Sequence, residues 1–325
     1  MTQAHATQLL YGLRVASELP LYQERPAPDG AAPDVEIRIG ETMRSTEQRP
    51  EGQLLVDLDT DRLLYSATAR DDGSYVVRFY RTCDFVVQPD LSRVTLHLVD
   101  DADPHLAGVL ATGTLLSFLL ALRGNPVLHA SAVQVGDSAL AFVGASGMGK
   151  STMATLMCAD GARLITDDVL RLDLAGIDGA PTCYLGATEV RLRKAAGDLA
   201  ARFSDRPERR LTSDARDALR TPTSTQQHLP LKAIVIPLPD HEGGQEATTV
   251  TRLESMEALL TLLRFPRILG WEDPAIIDRQ FQQLGHVVER VPVYVANLAW
   301  GPPFPADIAV RVTDAVGLAT RPAVP

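Results

Sequence analysis

One stretch constrains this chain more than any other. Residues 128–151 read LHASAVQVGDSALAFVGASGMGKS, and the last eight satisfy GxxxxGK[ST] directly after an apolar run. Such a loop needs a strand ahead of it and a helix behind it. Glycines let successive backbone N–H groups converge on anionic oxygens, and the first turn of the helix adds its dipole. The flanking sequence meets both demands. Ala132–Val135 and Ala139–Val143 are apolar runs joined by Gly136-Asp137, a hairpin signal, and a helix is predicted from Lys150 to about Cys158, closed by Asp160-Gly161.

The loop therefore reads as a nucleotide-phosphate cradle made by Gly144, Ala145, Ser146, Gly147, Met148, Gly149, Lys150, Ser151 and Thr152. In such a cradle Lys150 reaches the β- and γ-phosphates and the Ser151 hydroxyl holds Mg²⁺. Phosphate binding alone does not separate a kinase from an ATPase or a nucleotide switch.

The acidic pair in Ile165-Thr-Asp167-Asp168-Val169 bears on that choice, because it follows Lys150 after only one short helix and one strand. Adjacent strand residues face opposite sides, so the two carboxylates share a site only if the strand ends there. One would then serve Mg²⁺ and the other would accept the proton of an incoming hydroxyl. An acidic turn between strands is the plainer alternative. His129, at the start of the hairpin, either orients a catalytic carboxylate or is a satisfied core histidine.

The remainder of the chain frames these residues. A length of 325 residues suggests about two domains. A formal charge of −10 argues against nucleic acid or an anionic membrane as partner. Cys83, Cys158 and Cys183 are scattered without metal-ligand spacing, which points to a reducing, cytoplasmic setting. No basic segment followed by an apolar one opens the chain, so no secretion signal is predicted. The uncharged run 106–122 approaches a spanning length but is interrupted by glycines and hydroxyls, and reads as a buried helix.

Period-2 runs at 35–39, 54–58, 63–67, 75–79 and 94–98 predict a β-rich N-terminal domain over 1–103, structural or oligomerising in role. Strand–turn–helix units over 104–325 predict an α/β domain. Its strands fall at 163–166, 169–172, 233–238 and 291–295, and its helices near 256–263 and 306–316.

Taken in order and spacing, His129, GASGMGKS and Asp167-Asp168 resemble the HPr kinase/phosphorylase family. The closer resemblance is to HPr-kinase-related serine kinases of bacterial gene clusters, including those that phosphorylate lasso-peptide precursors. Tyr11-Gly-Leu-Arg-Val-Ala-Ser-Glu-Leu-Pro20 and Asp34-Val-Glu-Ile37 are similar to that subgroup's N-terminus. The resemblance implies an α/β, P-loop kinase domain with a smaller β-rich domain, ATP and Mg²⁺ as cofactors, and a peptide or protein serine as acceptor. It also implies Asp167 as general base, Asp168 as its neighbour near the metal, Lys150 on the phosphates and His129 as the histidine before the P-loop. The sequence departs from the family where Ala-Ser follows the histidine and where the P-loop ends Lys-Ser-Thr152.

Between Arg191 and Arg220 nine basic residues face five acidic ones. Arg191 and Arg193 are candidates for neutralising the transferring phosphoryl group or holding an acidic peptide. Beyond Lys194 the stretch reads as a solvated, salt-bridged helix face. A small-molecule kinase and a non-catalytic nucleotide sensor stand as the rival readings.

Overall fold

The computed structural model of the chain describes residues 6–58, 64–193, 195–241 and 248–318. Contacts divide it into two compact units, Met1–Gly124 with Ile268–Gln280, and Asn125–Arg267 with Phe281–Pro325.

The first unit holds an eight-stranded sheet. Its strands are β1 (Gln8–Leu10), β2 (Leu13–Ser17), β3 (Val35–Ile39), β4 (Gln53–Leu58), β5 (Tyr65–Ala69), β6 (Tyr75–Phe79), β7 (Cys83–Val87) and β8 (Arg93–Leu98). They lie in the order β1-β2-β3-β8-β7-β6-β5-β4. All the period-2 runs of the sequence become strands here, although Leu63 lies outside the described residues.

The uncharged run forms α1 (Pro104–Leu110), a π-helical turn (Ala111–Leu115) and α2 (Leu116–Leu122), and it groups with the first unit rather than the second. It is long and apolar enough to cross a membrane, yet Leu115, Leu116, Phe118, Leu119 and Leu120 are all buried. Its hydroxyls do not break it. Thr112 donates to the Gly108 carbonyl at 3.1 Å and Ser117 to the Gly113 carbonyl at 2.7 Å, so each polar group is satisfied one turn back. Gly108 is required for closeness, since a Cβ there would lie 2.4 Å from the Pro20 carbonyl oxygen.

The second unit is the α/β one. Its strands are β9 (Val127–Leu128), β10 (Ala130–Val135), β11 (Ser138–Val143), β12 (Arg163–Thr166), β13 (Leu170–Ile177), β14 (Ala180–Tyr184), β15 (Val190–Leu192), β16 (Arg209–Leu211), β17 (Asp217–Leu219), β18 (His228–Asp240), β19 (Thr249–Arg252) and β20 (Val293–Ala299). Its helices are α3 (Lys150–Ala159), α4 (Ala196–Ala200), α5 (Ser255–Leu262) and α7 (Ile308–Ala315). The intervening α6 (Pro274–Arg290) belongs to the first unit as far as Gln280 and to the second thereafter.

The main sheet runs β12-β10-β11-β18-β14-β13-β9, with β20 on β18 and β19 on β20. β11, β18 and β20 are parallel neighbours. Alternation along these strands feeds two cores. Leu140, Phe142, Ala233 and Val235 pack with α3 and α7, whereas Ala141, Val143, Ile234 and Ile236 pack with α5 and the end of α6. Burial on both faces is why SALAFV and AIVI read as continuous apolar runs.

The basic stretch departs from expectation. Among its described residues only Ala196–Ala200 is helical, and β15, β17 and β16 form a small separate sheet. Several of its charges are paired, as in Arg209 to Asp217 at 2.7 Å and Arg210 to Glu189 at 2.7 Å. Cross-strand pairing of Asp217 with Leu211 and Leu192 thus replaces the helix face.

Candidate active site

β11 ends at Val143 and hands the chain to the loop 144–149, from which α3 starts at Lys150. Gly147 and Gly149 take φ +92° and +85°, values that favour glycine. Lys150 is buried and donates from Nζ to the Ala145 carbonyl at 3.0 Å, folding its ammonium back over the loop. Burial pushes the Lys150 amine down to about 8, against the raising influence of the Asp167 and Asp168 carboxylates. Arg193 reaches the same loop, donating to Ser146 Oγ at 2.9 Å.

The acidic pair lies just past β12. Leu164 and Ile165 enter opposite cores and Thr166 ends the strand, so both carboxylates fall in the following turn. A Val169 N–H to Asp167 carbonyl bond of 2.9 Å closes a three-residue turn around Asp168, whose φ is +71°. A non-glycine residue in that region is strained and persists only where its surroundings impose it. Thr166 supplies part of that bracing, donating to the Val169 carbonyl at 2.6 Å.

The turn sends the two side chains to different partners. Asp167 Oδ1 accepts from Ser131 Oγ at 2.5 Å and Ser151 Oγ at 2.8 Å, and its Oδ2 accepts the Arg191 backbone N–H at 3.0 Å. Asp168 Oδ1 lies 3.2 Å from His129 Nε2. Its Oδ2 meets Arg267 at 2.7 Å and Arg191 at 3.5 Å.

His129 thus faces Asp168, and the carboxylate beside the P-loop serine is Asp167. The positive φ at Asp168 is the physical reason, since it breaks the strand geometry that links the pair.

The electrostatics follow from these partners. Burial alone pushes the Asp168 carboxyl up, but Arg267, the His129 hydrogen bond and Arg191 together hold it well below the usual carboxylate range. Burial also pushes the His129 imidazole down, with Lys150 and Arg267 adding to that and Asp168 opposing it. The pair is therefore a neutral imidazole donating to an ionised carboxylate at neutral pH. Arg191 continues outward to Asp214 at 3.4 Å, and Arg216 meets the same carboxylate at 3.1 Å.

The structure brings Lys150, Ser151, Asp167, Asp168, His129, Arg191 and Arg193 into one site. Sequence reasoning missed Ser131 and Arg267. Ser131 stands two residues after His129, a signal that was available, whereas Arg267 comes from 99 residues beyond Asp168 and lies in no motif.

Ser151 and Asp167 present a hydroxyl and a carboxylate oxygen within hydrogen-bond distance of each other. Such hard oxygen donors suit Mg²⁺, which takes few protein ligands and fills its shell with phosphate and water.

No known family profile matches the sequence, and no curated protein matches it. Among solved structures the chain is similar to the HPr(Ser) kinase/phosphatase of Coxiella burnetii. That likeness has 10% identity and a TM-score of 0.30, covering 58% of this chain and 95% of the other.

Proposed function

We propose that this chain is an ATP-dependent phosphotransferase that moves the γ-phosphoryl group of ATP to a serine hydroxyl of a peptide or protein. The observation that carries the proposal is the His129–Asp168 pair, whose carboxylate is held in a strained turn. A nucleotide sensor needs a phosphate cradle but no oriented proton acceptor, so this pair favours transfer over sensing.

In this reading the loop 144–151 cradles the phosphates, and Lys150 leaves the Ala145 carbonyl to meet the β- and γ-phosphates. Ser151 and Asp167 would hold Mg²⁺, which neutralises charge building on the phosphoryl oxygens. Asp168 accepts the proton of the incoming serine. Its low pKa means that it is ionised throughout the working range, so position rather than basicity is what His129 supplies. Arg191 and Arg267, already on Asp168, stand where they can neutralise the transferring group. This reading gives the two carboxylates the roles opposite to those the resemblance implies.

The test is transfer itself. Purified chain with γ-labelled ATP and Mg²⁺ is offered serine-containing peptides, including any encoded beside it, and labelled phosphoserine is expected. ATP turnover that labels no hydroxyl, even a small-molecule one, would leave an ATPase instead.

A further inference from the structure

The phosphate site accounts for the cradle but not for the aromatic residue beside it. The parallel strands β11, β18 and β20 bring their carboxyl ends to one edge. There β11 delivers the P-loop, β18 delivers Pro239, Asp240 and His241, and β20 delivers Trp300 immediately after Ala299. Ligands of open parallel sheets bind outside such carboxyl ends.

Trp300 lies against the loop. A Cβ on Gly149 would stand 2.5 Å from its Cη2 and 2.8 Å from its Cζ2, with Pro239 Cγ at 3.3 Å. Phe304 and His241 meet the indole edge-on, at 87° and 79° with centroids 5.2 Å and 6.4 Å away. Among the described residues no ring stacks parallel on it, and it is half-buried, its covered part packed on the core that holds Phe142, Leu298 and Phe304. The other tryptophan of the chain, Trp271, behaves differently and lies flat on Phe118 at 5.6 Å and 7°.

We propose that Trp300 is the platform on which the base of the nucleotide stacks. The proposal rests on the phosphate reading of the P-loop and adds what that loop cannot supply, a preference for a nucleotide over bare polyphosphate. Every base has a π-face, so the platform is tolerant of base identity and GTP binds nearly as well as ATP.

The full chain tests this by calorimetry with ATP and with inorganic tripolyphosphate, both with Mg²⁺. Wild type is expected to prefer ATP by about tenfold or more, the size of one base–aromatic stack. W300A should lose that preference by weakening ATP alone, and W300F should keep most of it. Equal weakening of both ligands by W300A would mean the ring only props Gly149, and overturns the proposal. Equal affinity of wild type for the two ligands also overturns it while sparing the phosphate reading; binding of neither removes both.

Should W300A fail to fold, W271F leaves Trp300 as the sole indole. Trp271 Nε1 is buried without a hydrogen-bond partner among the described residues, so phenylalanine is tolerated there. ATP should change the emission of that single tryptophan and tripolyphosphate should not. An identical response to both would sink the stacking platform.

Discussion

His129 Nε2 stands 3.2 Å from Asp168 Oδ1, while the adjacent carboxylate of Asp167 is held by the hydroxyls of Ser131 and Ser151. Two neighbouring acids therefore occupy two electrostatic settings, one lined by arginines and an imidazole, the other by hydroxyls and a backbone amide. Substitutions at the two positions should separate cleanly in what they change.

The first consequence concerns the proton acceptor. Asp168→Asn keeps size and tolerates the positive φ, but it cannot take up a proton, so transfer should fall by about 10²–10⁴-fold with ATP affinity little changed. His129→Ala should cost less, and added to Asp168→Asn it should cost almost nothing more. Paired with Asp167→Asn its effect should instead multiply. Transfer rates of the single and double variants decide this, and multiplicative loss in the His129–Asp168 pair would place the imidazole's role elsewhere.

The second concerns the metal side. Asp167→Asn should raise the Mg²⁺ concentration needed for half-maximal transfer much more than it lowers the rate at saturating Mg²⁺. Ser131→Ala removes one donor from that carboxylate and should shift the same titration in a smaller measure. A Mg²⁺ titration unchanged by both substitutions would take Asp167 off the metal.

The third uses pH. Burial lowers the Lys150 amine to about 8, and bound phosphate favours its charged form. Nucleotide binding must then take up a proton above pH 8, so ATP affinity should fall as pH rises from 8 toward 10, by at most tenfold per pH unit. Stability without ligand runs the other way. The unfolded lysine holds its proton to about 10.4, so this group's cost to folding is full below pH 8 and fades above it. Calorimetry at pH 7, 8 and 9 checks the binding; Lys150→Arg, charged throughout, should flatten the profile.

Much of this site was legible because its parts are local in sequence. The P-loop, its hairpin and the acidic pair each follow from glycine placement and apolar runs between 128 and 172. What was not legible comes from distance or from turn geometry. The three-residue turn at Asp168 carries no glycine or proline to announce it, so the partners of the two acids could not be told apart. Arg267 follows α5 without any motif. The helix α6 carries its own start signals, with Pro274 at its first position and Asp273 accepting from the Ala275 N–H at 2.8 Å, yet its glutamine- and charge-rich sequence hides them. The small sheet β15-β17-β16 is hidden by its arginines, whose charges are satisfied across strands rather than along a helix.

The last prediction tests the join between loop and wall. Gly149 is doubly constrained: its φ of +85° strains any other residue, and a Cβ would drive into the Trp300 ring at 2.5 Å. Gly149→Ala should therefore lower stability by about 1–2 kcal/mol for the backbone alone, with more for the displaced indole. Because the residue caps α3 directly before Lys150, the damage should fall on phosphate binding too. The two contributions can be separated. Trp300→Ala removes the obstacle but leaves the strained φ, and it carries a packing cost of its own. Gly149→Ala should therefore cost less melting temperature in the Trp300→Ala background than in wild type, but still cost something. Thermal denaturation of the four proteins measures this: no cost in the Trp300→Ala background would mean backbone strain counts for little at this position, and an equal cost in both would mean the indole yields freely and the dihedral carries the whole effect.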